Sequence, residues 1–456
     1  MPTLTLQISP NQLTLGLLPN RQLCYLLLTI GADGGAEQRA VNWALIADAS
    51  RSMRIPIVSE EQFRILLRNG GAQEILIDGV PVWQLTGPVP PEVRAVSPNA
   101  LDFVARALHS VVDRLGQQDR FALVACAEEA VLLTHSTSGA DQAALARGIA
   151  RLPSLNLGEQ TDLAHGIELG LNELRRGRDA LPDGERADRL LLLTDGFTQR
   201  SEECLRLASV AAAEGVAITT IGLGGEFQED VLTDLADRSA GRALFLRKPE
   251  GIPRAIAAEL NAARAVAARQ TLLRAMLAEG VTLRRATRIR PGLTILDQQL
   301  QAPANNRDPY ELRLGEIEAG APLTLLLELM APPHAAGPAL LGRLTIAGDG
   351  APGVEADLHA AYQGQIPPTP AEVIDAAARA NAARLQQRAL ETAARGDAPE
   401  AARLLRAAAA RLDDLGEHAL ADFAHKQAAT LEQNGQPNPL LTKELTYATR
   451  RLGDGQ

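Results

Sequence analysis

Two apolar runs of strand length, each followed directly by polar side chains, constrain this chain more than any other feature of its sequence. The runs are residues 43–47 (Trp-Ala-Leu-Ile-Ala) and residues 190–193 (four leucines). Apolar runs without polar alternation are typical of strands covered on both faces, as in parallel sheets. The candidate side chains that follow the two runs are Asp48, Ser50 and Ser52 after the first and the carboxylate of Asp195 after the second. Because ligands bind beyond the carboxyl ends of such strands, a site is expected there.

The first polar group combines one carboxylate with two hydroxyls and has no His or Cys nearby. Oxygen donors of this kind suit a hard cation such as Mg2+. Since Mg2+ prefers near-octahedral geometry, one loop cannot surround it, and further ligands are expected from other strand ends. The candidates are Asp195 and, in the loop 158–162 that leads into a helical pattern, Thr161.

In this order and with these gaps, the three segments resemble the metal-ion-dependent adhesion site (MIDAS) of von Willebrand factor A domains. The matching residues are Asp48, Ser50, Ser52, Thr161 and Asp195, and the resemblance covers roughly residues 40–265. It implies that the serines bind Mg2+ (or Mn2+ or Ca2+) directly and that the two carboxylates act largely through water. It also implies that Thr161 moves into or out of direct contact with the ion. The resemblance further implies that an Asp or Glu of a protein partner then completes the coordination of the ion.

Arg51 departs from the family pattern, because a small residue usually stands between the two serines. Two interpretations stay open. The guanidinium attracts an acidic partner, which makes Arg51 a candidate partner-binding residue, or it pairs with the carboxylates of the site and weakens metal binding.

A second departure is the insertion of residues 54–97, since the metal loop of the family leads almost at once into the first helix. Within the insertion, residues 74–83 predict a hairpin with Asp78 and Gly79 at a tight turn. Both ends of the insertion are expected near the metal face. The hairpin is either a lid, a contact that presents Trp83 to the partner, or an elaboration that covers apolar surface. Tryptophan is enriched at interface hot spots. Direct contact is favoured over a lid, because a hairpin is rigid enough to present a side chain and no Gly-rich hinge flanks it.

The whole chain divides into three kinds of pattern. Alternating strands and helices over residues 40–265 predict an α/β domain with a doubly wound, mainly parallel sheet, Rossmann-like as in the resembled family. The strand-rich segments 1–39 and 266–365 predict one β-sandwich into which that domain is inserted. Residues 371–450, rich in Ala, Leu, Arg and Glu, predict an α-helical bundle with three helices, the last ending at Glu432. This plan resembles that of bacterial cytoplasmic A-domain proteins.

Bulk properties exclude several classes of function. The formal net charge of −10 argues against a general nucleic-acid or anionic-membrane binder. The N-terminus lacks the features of a signal peptide and no run reaches the ~18 apolar residues of a membrane span, so a cytoplasmic location is expected. Cys24, Cys126 and Cys204 lie far apart in apolar patterns and are predicted to be buried thiols. No zinc spacing and no nucleophile–base arrangement stand out, so the chain is not expected to be an enzyme.

The function predicted first is a non-enzymatic, Mg2+-dependent protein-binding module with a scaffold or assembly role. One alternative is an accessory subunit of an AAA+ ATPase remodelling machine of the chelatase type. Because the sequence has no Walker motif, the ATPase would be a separate chain. Another alternative is an RNA-binding ribonucleoprotein subunit, against which the acidic charge counts. A metal hydrolase is disfavoured, because no general base is evident.

Overall fold

The computed structural model describes residues 2–33, 39–58, 60–77, 80–85, 97–180, 186–225, 227–305 and 308–453. The strands, in chain order, are β1 (Thr3–Ser9), β2 (Gln12–Leu15), β3 (Gln22–Asp33), β4 (Ala40–Asp48), β5 (Ala72–Ile77), β6 (Val80–Leu85), β7 (Arg120–Cys126), β8 (Ala130–Ser138), β9 (Arg186–Thr194), β10 (Ala217–Leu223), β11 (Ala243–Leu246), β12 (Val266–Leu277), β13 (Thr282–Arg290), β14 (Thr294–Ile295), β15 (Tyr310–Glu318), β16 (Leu323–Ala331), β17 (Gly337–Asp349) and β18 (Ala351–Tyr362). The α-helices are α1 (Glu60–Arg68), α2 (Ala100–Val112), α3 (Gln142–Arg151), α4 (Leu163–Asp179), α5 (Ser201–Ala213), α6 (Glu229–Arg238), α7 (Ile252–Arg264), α8 (Ala371–Ala394), α9 (Ala398–Asp414), α10 (His418–Asn434) and α11 (Pro439–Arg450).

The centre of the molecule is a six-stranded sheet in the order β11-β10-β9-β4-β7-β8. Five of its strands run parallel, and the edge strand β8 pairs antiparallel with β7. The apolar run of β4 is buried on both faces. Trp43 and Leu45 pack with α2 and α7, whereas Ala44 and Ile46 pack on the opposite face with α4, α5 and α6. The predicted doubly wound, mainly parallel α/β domain is confirmed, and two-sided burial is the reason that its strands lack polar alternation.

The α/β domain is inserted in a β-sandwich, as the sequence predicts. The two sheets of the sandwich have the orders β1-β3-β16-β13-β14 and β15-β12-β17-β18-β2. Strand β3 pairs antiparallel with β16 over nine residue pairs, so the N-terminal strands share a ladder with the segment that follows the α/β domain. Buried leucine and isoleucine side chains of both sheets, among them Leu28, Ile30, Leu325 and Leu344, form a common core.

The C-terminal helices contact both of the other parts. Helix α8 packs on the sandwich, and side chains of α8, α9 and α10 share a buried cluster with Leu27, Ile289 and Leu326. Helix α11 packs on the α/β domain, where Tyr447 joins the core formed by Phe227 and its neighbours. Helix α11 lies beyond Glu432, where the sequence predicts the last helix to end, so this helix is an addition to the predicted bundle.

The insertion after the metal loop contains a helix that the sequence did not predict and a hairpin that it did. Helix α1 precedes β5 and β6, which pair antiparallel with Ile77 opposite Val80. The two predicted turn residues, Asp78 and Gly79, and residues 86–96 lie outside the described residues. Across the described ranges, the structure contains no helix with the length and apolar character that crossing a membrane requires.

Candidate metal centre

The candidate centre lies where β4 and β9 end. These strands are parallel neighbours, so their carboxyl ends meet at one edge of the sheet. Asp48 is the last residue of β4, and Asp195 follows β9 directly. A parallel β-bridge between Thr161 and Thr198 holds the loop before α4 against the loop after β9. The structure therefore brings together the residues that the sequence assigns to the metal: Asp48, Ser50, Ser52, Thr161 and Asp195.

Asp48 is fully buried at the base of the centre. Its Oδ1 accepts a hydrogen bond of 2.8 Å from the main-chain N–H of Ser50. The hydroxyls of Thr161, at 3.2 Å, and Thr194 both donate to its Oδ2. These donors are all neutral, and burial raises the pKa of the Asp48 carboxyl above its ordinary value although the hydrogen bonds oppose the rise. A buried carboxylate without a counter-charge is costly, so the donor set fits a cation at this edge.

The two serines place neighbouring hydroxyl groups at the centre, one buried and one open to solvent. The Oγ atoms of Ser50 and Ser52 are 3.1 Å apart, and the Ser52 hydroxyl donates to Oδ1 of Asp195 at 2.7 Å. Two adjacent ligands of an octahedral Mg2+ with bonds of about 2.1 Å are separated by about 3.0 Å. The serine spacing therefore suits neighbouring positions around one ion. Ser50 is buried and Ser52 is exposed, so the site opens on the Ser52 side.

Gly196 keeps the space next to the carboxylate clear. A Cβ atom at this residue would lie 3.6 Å from the Thr161 hydroxyl and 3.8 Å from Oδ2 of Asp48. Any larger side chain would extend into the region between the two loops. Gly196 therefore leaves the region next to Asp48 and Thr161 unfilled by a side chain of its own.

Arg51 does not pair with Asp48 or Asp195. Its guanidinium forms an exposed ion pair with Glu159, with 3.1 Å between Nη1 and Oε1. The neighbouring Arg54 instead holds the metal loop in place, because its Nη2 donates to the Gly158 carbonyl at 3.1 Å. Trp83 lies in β6, and its side chain is outside the described part of the structure.

Two hydroxyl residues near the centre were not predicted to belong to it. Thr194, the last residue of β9, donates to Asp48, and the Thr198 hydroxyl accepts from the main-chain N–H of Leu163 at the start of α4. The signal for Thr194 was present in the sequence. A hydroxyl at the end of an otherwise apolar buried strand needs a hydrogen-bond partner, and a carboxylate one strand away can provide it.

The remaining candidate groups have structural roles. Cys24, Cys126 and Cys204 are free and buried, as predicted, and burial raises the pKa of the Cys24 thiol to about 12. The Nδ1 atom of His165 accepts a hydrogen bond from the main-chain N–H of Ala130. Among the described residues, no three His, Cys, Asp or Glu side chains are grouped as metal ligands, so a metal there would depend on the hydroxyl donors.

Residues 92–197 match the family model of the von Willebrand factor type A domain, and residues 371–455 match that of the Sll0103-like, C-terminal alpha-helical domain. The chain is 28% identical over 151 residues to an uncharacterized protein, sll0103, of Synechocystis sp.. That alignment covers 33% of this chain and 34% of the relative, so it spans about a third of the curated relative's length.

Two solved structures resemble the whole chain in fold. One is a von Willebrand factor type A protein from Catenulispora acidiphila, with a TM-score of 0.73, 17% identity and coverage of 99% of this chain and 97% of that one. The other is the ArnB paralog VWA2 from Sulfolobus acidocaldarius, with a TM-score of 0.52, 14% identity and 99% coverage of each chain. At these identities the likeness shows the fold alone. The chain therefore carries a von Willebrand factor A-type α/β domain together with a C-terminal helical domain.

Proposed function

We propose that the chain binds Mg2+ at Ser50, Ser52 and Thr161, and uses the ion to hold an Asp or Glu of a protein partner without catalysing a reaction. The observation that supports this most is the buried Asp48 carboxylate, whose hydrogen-bond donors are all neutral. A bound Mg2+ would supply the missing positive charge and an open coordination position. Asp48 and Asp195 stand behind the hydroxyl ligands and orient them.

The direction of approach follows from the exposure of the ligands. Asp48, Ser50 and Thr161 are buried, whereas Ser52 is exposed and Asp195 is partly exposed. A partner carboxylate therefore reaches the ion from the side of Ser52 and Asp195. A charge-assisted contact in this partly desolvated setting is stronger than the same contact between freely exposed groups.

Calorimetric titration of the full chain with MgCl2 tests the metal site. Wild type should bind one ion, and the double variant Ser50→Ala, Ser52→Ala should bind none. Ser154→Ala, which changes an exposed serine at the end of α3, is the matched control and should bind like wild type. Metal binding that survives the double substitution would overturn the assignment.

A pull-down from cell extract tests the partner. Proteins retained by wild type in Mg2+ should be lost in EDTA and lost with Asp48→Ala. The scaffold or assembly role rests on this experiment, because it requires a protein that is captured in a metal-dependent way. Capture that is equal with and without EDTA would contradict the proposal.

The β5–β6 hairpin is proposed as a second contact with the partner, through Trp83. The paired strands form a regular ladder, and the insertion begins just after the loop that carries Ser52. Replacing residues 72–86 with a short Gly-Ser link should weaken partner binding and leave Mg2+ affinity unchanged. Tighter binding would identify an inhibitory lid, and unchanged binding would make the hairpin a structural elaboration.

A further inference from the structure

Aromatic side chains are scarce in this chain, yet one of them stands exposed beside the candidate centre. The sequence contains seven Phe, two Trp and four Tyr among 456 residues. Phe197, two residues after Asp195, is 61% exposed. It is the single aromatic among the large apolar side chains that are exposed in the described ranges. Aromatic residues are enriched at protein interfaces, so an exposed ring two residues from Asp195 favours a contact surface at this edge.

The backbone that carries Phe197 is fixed on both sides. Before it, the Gly196 N–H donates to the Thr194 hydroxyl at 3.1 Å. After it, Thr198 forms the β-bridge with Thr161, and its N–H donates to the Gln228 side chain at 2.9 Å. A ring held on an ordered loop loses little conformational entropy when it is covered.

A second exposed apolar side chain lies on the other loop that opens to solvent. Ile55 is 51% exposed and ends the turn that carries Ser52, since its N–H donates to the Ser52 carbonyl at 3.1 Å. Each loop that contributes an accessible polar group to the centre, Ser52 or Asp195, therefore also presents a large apolar side chain two or three residues further on.

The same edge also carries positive charge. Arg54 donates to the carbonyls of Ser50, at 3.4 Å, and Gly158. Both acceptors are main-chain carbonyls, so these contacts place the positive charge of Arg54 next to the metal loop without a carboxylate partner among the described residues. Arg51 is exposed nearby, balanced by Glu159. The charge of Arg54 complements a carboxylate, and the apolar side chains complement an apolar neighbour of that carboxylate.

From this arrangement we propose that the partner is a protein segment in which an aliphatic or aromatic residue lies within three positions of the carboxylate, and that Phe197 packs against it. This inference rests on the proposed function, because the ion fixes the position of the partner's Asp or Glu. Phe197 is then the residue that determines which acidic segments are accepted.

A phage-displayed library of random nine-residue peptides with a fixed central Asp tests the proposal, selected on the immobilised full chain in Mg2+. Peptides from wild type should be enriched in aliphatic or aromatic residues within three positions of the Asp. Selection on Phe197→Ser should lose this apolar enrichment. A synthetic peptide selected on wild type should bind Phe197→Ser about tenfold more weakly, which corresponds to about 1.4 kcal/mol.

Leu340→Ser is the matched control, because Leu340 is 53% exposed on β17 of the sandwich, outside the α/β domain that carries the candidate centre. It should select the same peptides as wild type. Peptides whose binding depends on Mg2+ and whose apolar residues are unchanged by Phe197→Ser would overturn this inference alone. Failure to recover any Mg2+-dependent peptide would overturn the proposed function and the inference with it.

Discussion

The side chain of Gln228 accepts a hydrogen bond of 2.9 Å from the main-chain N–H of Thr198. This bond joins the segment between β10 and α6 to the loop that carries Asp195. The same segment contacts the C-terminal domain, because the Lys443 ammonium of α11 donates to the Gly225 carbonyl and lies 4.7 Å from the centre of the Phe227 ring. The metal-site loop and the C-terminal helices are therefore held by one short stretch of chain.

Gln228→Leu should weaken Mg2+ binding. It keeps the size of the side chain but leaves the buried N–H of Thr198 without its acceptor, which costs about 1–3 kcal/mol. Calorimetric Mg2+ titration and urea unfolding of the same samples measure both effects. Gln199→Leu, which removes only an exposed hydrogen bond to Gln160, is the control and should behave like wild type. Unchanged metal affinity in Gln228→Leu would show that the loop is positioned by other contacts.

Asp48→Asn should stabilise the metal-free protein and abolish its response to Mg2+. Burial disfavours the charged carboxylate, and a neutral amide of the same shape removes that cost. Thermal unfolding in EDTA should therefore occur at a higher temperature than for wild type, and added MgCl2 should cause no further shift. Asp162→Asn is the control. It removes the partly exposed ion pair with Arg200, and its free energy of unfolding should differ from that of wild type by less than about 1 kcal/mol. A lower melting temperature for Asp48→Asn in EDTA would contradict this account.

Glu229 should make stability depend on pH near neutrality. Burial raises the pKa of its carboxyl from 4.5 to about 7, even though the nearby Lys443 lowers it. Between these values the folded protein holds a proton that the unfolded chain has released, so stability falls as the pH rises through this window. The difference in unfolding free energy between wild type and Glu229→Gln should change by at most about 3 kcal/mol between pH 4.5 and pH 7.

Urea unfolding at several pH values measures this dependence. Glu203→Gln is the control, because the hydrogen bond from Arg206 lowers the pKa of Glu203 instead. The difference in unfolding free energy between wild type and Glu203→Gln should not fall between pH 4.5 and pH 7. Parallel pH profiles for wild type and Glu229→Gln would rule out the assigned group.

Leu28→Ala should destabilise the sandwich through its N-terminal strand. Leu28 is fully buried and pairs with Leu325 of β16, and removal of a buried leucine side chain costs about 2–5 kcal/mol. Leu23→Ala in the same strand is the control. Because Leu23 is 43% exposed, this substitution should lower the free energy of unfolding by less than about 1 kcal/mol. Equal unfolding midpoints in urea for the two variants would show that β3 contributes little to the shared core.

The two carboxylates of the centre could be predicted because each lies at the end of an apolar run of strand length. Once strand pairing is assumed, Asp48 and Asp195 have to meet at one edge of the sheet. Neither Gln228 nor Lys443 carries such a signal. Their partners lie 30 and 218 residues away along the chain, and contacts of that kind leave no periodic trace in a sequence.

The two missed helices differ in how far they could have been predicted. In α1, Phe63, Leu66 and Leu67 have the three- and four-residue spacing of an amphipathic helix, so this helix is predictable from its pattern. In α11 the cap is formed by Asn438, whose side chain accepts from the Leu441 N–H. Two prolines flank that cap, Pro437 and Pro439. Proline is common both at the start of a helix and in the segment that ends a domain, so the sequence alone does not show that a further helix begins here.

The way the α/β domain is joined to the sandwich decides how a pulling force would travel. The domain is entered from β3 and left through β12, each twelve residues long and each an inner strand of a different sheet. Ladder hydrogen bonds run across the strands, so tension along a strand shears many of them together instead of opening them one at a time. A force applied to the α/β domain at the edge that carries Asp48 would thus load β3 and β12 in shear, the direction in which many ladder hydrogen bonds resist together.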